Sequence, residues 1–198
     1  MRAVLISIRP IWCELIANGK KTVEVRKTSP KLDTPFKCYI YCTLPPKSEF
    51  FWHHDEEGHR TLGEYANELI RLQDGRIVYD YGMRLCVDPE DRPYSQDNFF
   101  CKKVIGEFVC DKLIWVLSHP TFFAGHPLFY SQAIKDACLT EDDVKSYSGG
   151  KDVYGWHISD LVIYDKPKEL SEFSKYGFDH PVWLKRPPQS WCYVEERD

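Results

Sequence analysis

Between residues 3 and 26 the spacing of apolar side chains changes twice, and those two changes constrain the fold more than any other feature. Val4, Ile6 and Ile8 recur with a period of two, which predicts a strand with all three on one face. Pro10 follows, suited to the first position of a helix, where its missing N–H costs nothing. Trp12, Leu15 and Ile16 then supply an i, i+3, i+4 stripe, and Gly19 stands where a left-handed C-terminal cap is wanted. The period of two returns in Lys21-Thr22-Val23-Glu24-Val25-Arg26, a strand with Val23 and Val25 on one face and Thr22, Glu24 and Arg26 on the other.

Further strands are expected at 36–43, with Phe36, Cys38, Ile40 and Cys42 facing together, and at 104–117, bent near Asp111-Lys112. Others are expected at 154–164, before a turn led by Pro167-Lys168-Glu169-Leu170, and at 190–195, which closes the chain. A helix is expected over Ser131–Cys138 and another from Thr140, with Ser148-Gly149-Gly150 as a loop. Residues 45–102 differ in character. Pro45-Pro46 breaks the preceding strand, Trp52 to His59 reads as a polar turn, and Thr61 with Glu64 has capping-box spacing. Leu62, Tyr65, Ala66, Leu69 and Ile70 give a helical stripe, with short strands following at 77–79 and 84–87. The segment reads as a large insertion in a single domain spanning 1–198. The order of elements predicts a mixed α+β fold, a closed β-barrel with a short N-terminal helix and helical crossovers.

The 198 residues suffice for a core without staples, and an apolar share of 43% with 15% aromatics argues against global disorder. No apolar run approaches the ~20 residues that cross a bilayer, and Arg9-Pro10 cuts the first one short of a signal peptide. The expected location is therefore cytoplasmic, with no membrane partner and with all eight cysteines as reduced thiols. A net charge of −4 is not the bulk signature of a duplex-DNA binder, so any nucleic-acid contact must come from a local patch, or the ligand must be a small nucleotide.

Lys21, Glu24 and Arg26 form the main candidate site, with Thr22 beside them. Arginine offers a planar fork for a phosphate or a base edge. Lys21 can swing into the same space, and Glu24 can orient Arg26, accept from a base amine or shift a proton. The formal charge of +1 suits a nucleotide. The alternative is an ordinary Glu24–Arg26 surface pair beside a solvated lysine, worth ~0–1 kcal/mol.

Gly19-Lys20-Lys21-Thr22-Val23-Glu24-Val25-Arg26 fits the pattern Gly-x-Lys-x-x-Glu-x-Arg after a short helix, and in this the chain resembles the ASCH family. Ile6-Ser7-Ile8-Arg9-Pro10, Val104-Ile105-Gly106-Glu107-Phe108, Tyr154-Gly155-Trp156-His157-Ile158 and Arg186-Pro187-Pro188-Gln189-Ser190-Trp191 resemble further segments of bacterial and prophage members. The resemblance covers about two-thirds of the chain, all but the insertion. It implies a PUA-like β-barrel with a cleft beside the first helix, and RNA or nucleotide binding. One branch of similar motif removes an acetyl group from N4-acetylcytidine with a Lys, a Thr and a Glu. Lys21 maps onto that Lys, but Glu24 occupies the Thr position, and Thr22 lies two residues too early. A hydrolase acting on a modified nucleoside or RNA, with Lys21 and Glu24 as its catalytic pair, is accordingly the second hypothesis.

Trp156 and His157 follow the glycine loop and are candidates to line the cleft, since aromatic rings hold single-stranded bases by stacking. The alternative makes Trp156 core and His157 an exposed strand residue. Trp12 and Trp191 read as core packing. His53, His54, Asp55, Glu56 and His59 have the composition of a metal site but not its spacing, so no metal and no cofactor is expected. There is no Gly-x-Ser-x-Gly elbow, and Ser148-Gly149-Gly150-Lys151 lacks phosphate-loop spacing. The third hypothesis is a protein-interaction module of phage or mobile-element origin using the aromatic residues of 45–102.

Overall fold

The computed structural model describes residues 1–43, 52–54, 60–62, 69–71, 77–79, 101–116 and 127–197. Strand β1 (Arg2–Ile8) leads into helix α1 (Pro10–Ala17), with Pro10 in its first turn. Gly19, at φ 76°, turns the chain out of the helix in the left-handed conformation that a side chain would strain. Strands β2 (Val23–Arg26) and β3 (Phe36–Cys42) follow.

β3 lies parallel to β1 and antiparallel to β8 (Lys103–Cys110). Together with β11 (Ser159–Glu169) and β12 (Trp191–Glu195) they make a mixed five-stranded sheet in the order β11-β8-β3-β1-β12. Val4, Ile6, Ile8, Phe36, Cys38, Ile40 and Cys42 all enter one core with Phe108, Trp156 and Ile16 of α1. The alternate residues Ala3, Leu5, Tyr39 and Tyr41 enter a second core with Phe173, Leu184 and Val194. The parallel β1–β3 pair is thus covered on both faces, which is why the intervening positions are apolar too.

A second sheet holds β2, β10 (Val153–His157) and β9 (Leu113–Val116) in the order β2-β10-β9. Its outer side carries Val23, Val25, Val116 and Val153, packed with Ala133 and Ile134 of helix α2 (Pro127–Asp136) and Val144 of helix α3 (Glu141–Ser148). α3 begins with a reciprocal capping box. Thr140 Oγ1 accepts from the Asp143 N–H at 3.1 Å, and Asp143 Oδ2 accepts from the Thr140 N–H at 2.8 Å. The bonds to Thr140 hold the Asp143 carboxyl below the usual carboxylate range.

The runs 104–117 and 154–164 are not single strands of one closed wall. Each divides at a corner, after Cys110 and at Ile158, and sends its halves to different sheets. Ile158 leaves the ladders to donate its N–H to the Thr22 carbonyl at 2.8 Å. The stretch around Pro167 is not a turn. β11 continues to Glu169, with a register shift between Ile163 and Lys168, and its edge position tolerates a proline that cannot donate to a ladder. The helix beginning at Ser131 begins at Pro127 instead.

The helical stripe at 62–70 is also overturned at both of its ends. Leu62 lies in β5 (Arg60–Leu62), paired with β4 (Trp52–His54), and Leu69 and Ile70 lie in β6 (Leu69–Arg71), paired with β7 (Ile77–Tyr79). In these ladders Trp52 stands opposite Leu62 and Leu69 opposite Tyr79. The turn expected at Trp52–His54 is likewise strand. Tyr65, Ala66, the strand at 84–87 and Asp55, Glu56 and His59 of the polar cluster lie outside the described residues. The chain leaves the large sheet at Cys42 and re-enters beside it, in register, at Lys103.

At Gly106 the β11 backbone packs close against β8. A Cβ there would lie 2.3 Å from the Val162 carbonyl oxygen, a backbone atom that cannot rotate away. Gly106→Ala is expected to push the edge strand off the sheet and to cost about 1–3 kcal/mol, as overpacking does. A urea midpoint unchanged from the parent's would show that β11 yields freely.

Seven cysteines lie among the described residues, none of them in a disulfide, and Cys86 lies outside them. Burial pushes the Cys110 thiol up to about 12 and raises Cys38 as well, so neither is a ready nucleophile at neutral pH. No described helix is long and apolar enough to cross a membrane.

Candidate functional site

Lys21 sits at the end of the turn made by Gly19, where its backbone N–H is held by the Leu15 carbonyl at 2.9 Å. The side chain is 3% exposed as a residue and reaches across the molecule rather than into solvent. Its Nζ donates to the Ala137 carbonyl at 2.7 Å, just past the C-terminus of α2, where unsatisfied carbonyls and the helix dipole favour a cation. The same Nζ lies 3.5 Å from Glu24 Oε2 and 5.0 Å from the centroid of the Trp12 ring.

Glu24, 6% exposed, divides its carboxylate between two cations. Oε2 faces Lys21, and Oε1 lies 3.0 Å from Arg26 Nη2. Arg26 Nη2 also donates to the Ser7 carbonyl of β1 at 2.5 Å. Ser7 is fixed in turn: its Oγ donates to the Pro188 carbonyl at 2.7 Å and its N–H to the Ser190 carbonyl at 2.9 Å. The three charged side chains therefore form one buried row that ties β2 to β1 and to the end of α2. The surface pair with a solvated lysine does not describe this arrangement.

Thr22 joins the same region through its backbone, donating to the Asp136 carbonyl and accepting from the Ile158 N–H, both at 2.8 Å. Trp156 pairs with Glu24 across the β2–β10 ladder, so the two side chains leave the sheet on the same side. The Trp156 ring is fully buried against Phe36 and Trp191, each at 5.9 Å between centroids. Its Nε1–H has no hydrogen-bond partner among the described residues, and neither has Arg26 Nε.

His157 cannot share that side, because successive strand residues point to opposite faces. It pairs with Val23 on the side of the helices, and its Nδ1 lies 2.6 Å from Asp111 Oδ1. That hydrogen bond holds the Asp111 carboxyl below the usual carboxylate range. His157 and Asp111 are separate from the Lys21–Glu24–Arg26 row.

Reading the sequence does not reveal Ser7, Ala137 or Trp12 as parts of this site. The first two contribute backbone carbonyls, which every residue possesses, and Trp12 carries no signal beyond its place in a helical stripe. Among the described residues no cluster of three or more His, Cys, Asp or Glu side chains is arranged to hold a metal ion.

No family model and no curated protein matches this sequence. Solved structures do resemble it. The crystal structure of ASCH from Zymomonas mobilis is 17% identical, with a TM-score of 0.48 over 98% of this chain and 88% of that one. A serine-to-alanine variant of that protein, also 17% identical, aligns over 98% of this chain and 89% of its own at a TM-score of 0.53. By the likeness to that variant, the chain has the fold of an ASCH domain.

Proposed function

We propose that the side of the small sheet carrying Lys21, Glu24, Arg26 and Trp156 is a binding site for RNA or a nucleotide, within a single PUA-like barrel domain in which 45–102 is an insertion. The observation that carries this reading is Arg26, the most exposed member of a row of formal charge +1, whose guanidinium keeps an unpartnered N–H at Nε. Buried N–H groups without acceptors cost free energy that an arriving phosphate oxygen or base carbonyl recovers. The Arg26 guanidinium is held by Ser7 and Glu24 through one nitrogen, so its other nitrogens keep donors to offer. Glu24 and the Ala137 carbonyl hold the Lys21 ammonium, which makes it a fixed positive charge in this reading. His157 stands outside the site, and Thr22 contributes to it by anchoring the start of β2.

The test is titration of the parent, Arg26→Ala and Lys21→Ala with nucleosides, nucleotides and short single-stranded RNA, with circular dichroism as the check on folding. Arg26→Ala is expected to lose ~2–3 kcal/mol of binding, the scale of a hydrogen bond to a charged group. Lys21→Ala is expected to lose less. Turnover of a ligand by the parent, abolished in Lys21→Ala while binding persists, would make the site that of a hydrolase instead. Equal binding by the parent and both variants overturns the site.

A further inference from the structure

The ladder registers of the small sheet align three side chains in one cross-strand row. Arg26 of β2 pairs with Tyr154 of β10, and Tyr154 pairs with Trp115 of β9. Paired residues leave a sheet on the same side, so guanidinium, phenol and indole stand side by side. Neighbouring strands lie ~4.8 Å apart, which makes the row roughly 10 Å long. It runs parallel to the buried row of Glu24, Trp156 and Leu113 and leads outward from it.

Exposure rises along the row. The Arg26 side chain is 11% exposed, Tyr154 is partly exposed, and Trp115 is 65% exposed on a strand that is at the edge among the described residues. Leu113 and Tyr154 pack against the main core, and Ile114, beside Trp115 in the strand, packs on the helix side. An exposed aromatic ring in line with a guanidinium presents a flat π face and a hydrogen-bond donor to the same ligand. The occupant must suit a flat aromatic face continuous with a guanidinium that itself retains a buried, unpartnered N–H. A polynucleotide has both complements, π faces for the rings and phosphate or base acceptors for the guanidinium. An apolar peptide offers no acceptor of matching charge to Arg26.

We infer that Trp115 and Tyr154 form a stacking platform that continues the Arg26 site, so that its ligand is single-stranded RNA of two or more nucleotides rather than a free nucleotide. This rests on the binding site proposed above. One nucleotide engages Arg26, and the base of a neighbouring nucleotide stacks on the exposed indole. Stacking is indifferent to base identity, so the platform supplies affinity and not sequence preference.

The experiment compares uridine 5′-monophosphate with a uridine hexanucleotide on the parent, Trp115→Ala, Trp115→Phe and Arg26→Ala. Trp115 lies at the surface, so its replacement leaves folding intact. Trp115→Ala is expected to weaken hexanucleotide binding roughly 5- to 150-fold, the equivalent of one base–aromatic stack, and to leave the mononucleotide unchanged. Trp115→Phe should restore most of the loss, and Arg26→Ala should weaken both ligands. Hexanucleotide binding by Trp115→Ala equal to the parent's overturns the platform while leaving the Arg26 site standing. A loss with Trp115→Ala but none with Arg26→Ala keeps the platform and overturns the site. A parent that binds neither ligand overturns both.

Discussion

Glu24→Ala is expected to destabilise the protein by roughly 3–5 kcal/mol, the cost of removing one partner from a buried ion pair. Glu24 is the only carboxylate recorded within 4 Å of the Lys21 and Arg26 side chains among the described residues, and all three side chains are nearly or fully excluded from solvent. Its loss leaves two buried cations without a carboxylate, Lys21 held by the Ala137 carbonyl and the Trp12 ring and Arg26 by the Ser7 carbonyl. Glu24→Gln keeps an acceptor but removes the charge, so an intermediate loss is expected. Urea or guanidinium unfolding of the purified variants measures both. A drop below about 1 kcal/mol for Glu24→Ala would mean that the row behaves as a solvated surface pair. Replacing all three residues by apolar ones of similar volume is expected to return most of the stability, since buried ionic clusters seldom stabilise more than good apolar packing. A stable triple variant unable to bind RNA or nucleotides would mean that the charges are kept for ligands. One that still binds would mean that they are a clamp between elements.

Trp156→Ala is expected to cost a comparable ~3–5 kcal/mol, for a different reason. The ring is fully buried between Phe36 and Trp191 and belongs to the core that also holds Ile16 and Phe108, so truncation opens a cavity where β2, β10 and α1 meet. Trp156→Phe should cost much less. It leaves a smaller void, and it also removes an N–H that has no acceptor. Thermal unfolding of the two variants beside the parent gives the comparison. A Phe variant as unstable as the Ala variant would show that the indole N–H has an acceptor after all. A Phe variant that is stable but binds ligand less well would identify that N–H as part of the binding surface.

Much of the local structure was legible because it depends on residues within one turn or one strand of each other. Pro10 and Gly19 bracket α1, Thr140 marks the start of α3, and the alternation in β1, β2 and β3 separates their faces correctly. The grouping of Glu24 with Arg26 follows from the same rule, since a period of two places both on one side of β2. Where the rule was not applied, the expectation went astray. Trp156 and His157 are adjacent in a strand and could not line one cleft together. The stripe at 62–70 shows the limit of reading a period over few residues, because scattered apolar positions satisfy a helix or a pair of short hairpins equally well until their partners are known.

The sequence by itself determined which residues share a strand face, where α1 begins and ends, where α3 begins, and that Lys21, Glu24 and Arg26 are neighbours along the chain; Ser148, expected in the loop with Gly149 and Gly150, is instead the last residue of α3. Only the tertiary structure decided which layer each face meets. It divided the runs 104–117 and 154–164 between two sheets, covered both faces of β1 and β3, and brought the Ala137 carbonyl to Lys21 across 116 residues of chain. It also buried the charged row that the alternation alone leaves free to face water. The physical reason is that periodicity is a relation between near neighbours, whereas burial and hydrogen-bond partnership depend on segments distant in sequence. A backbone carbonyl that accepts from a lysine leaves no mark on the identity of the residue that bears it.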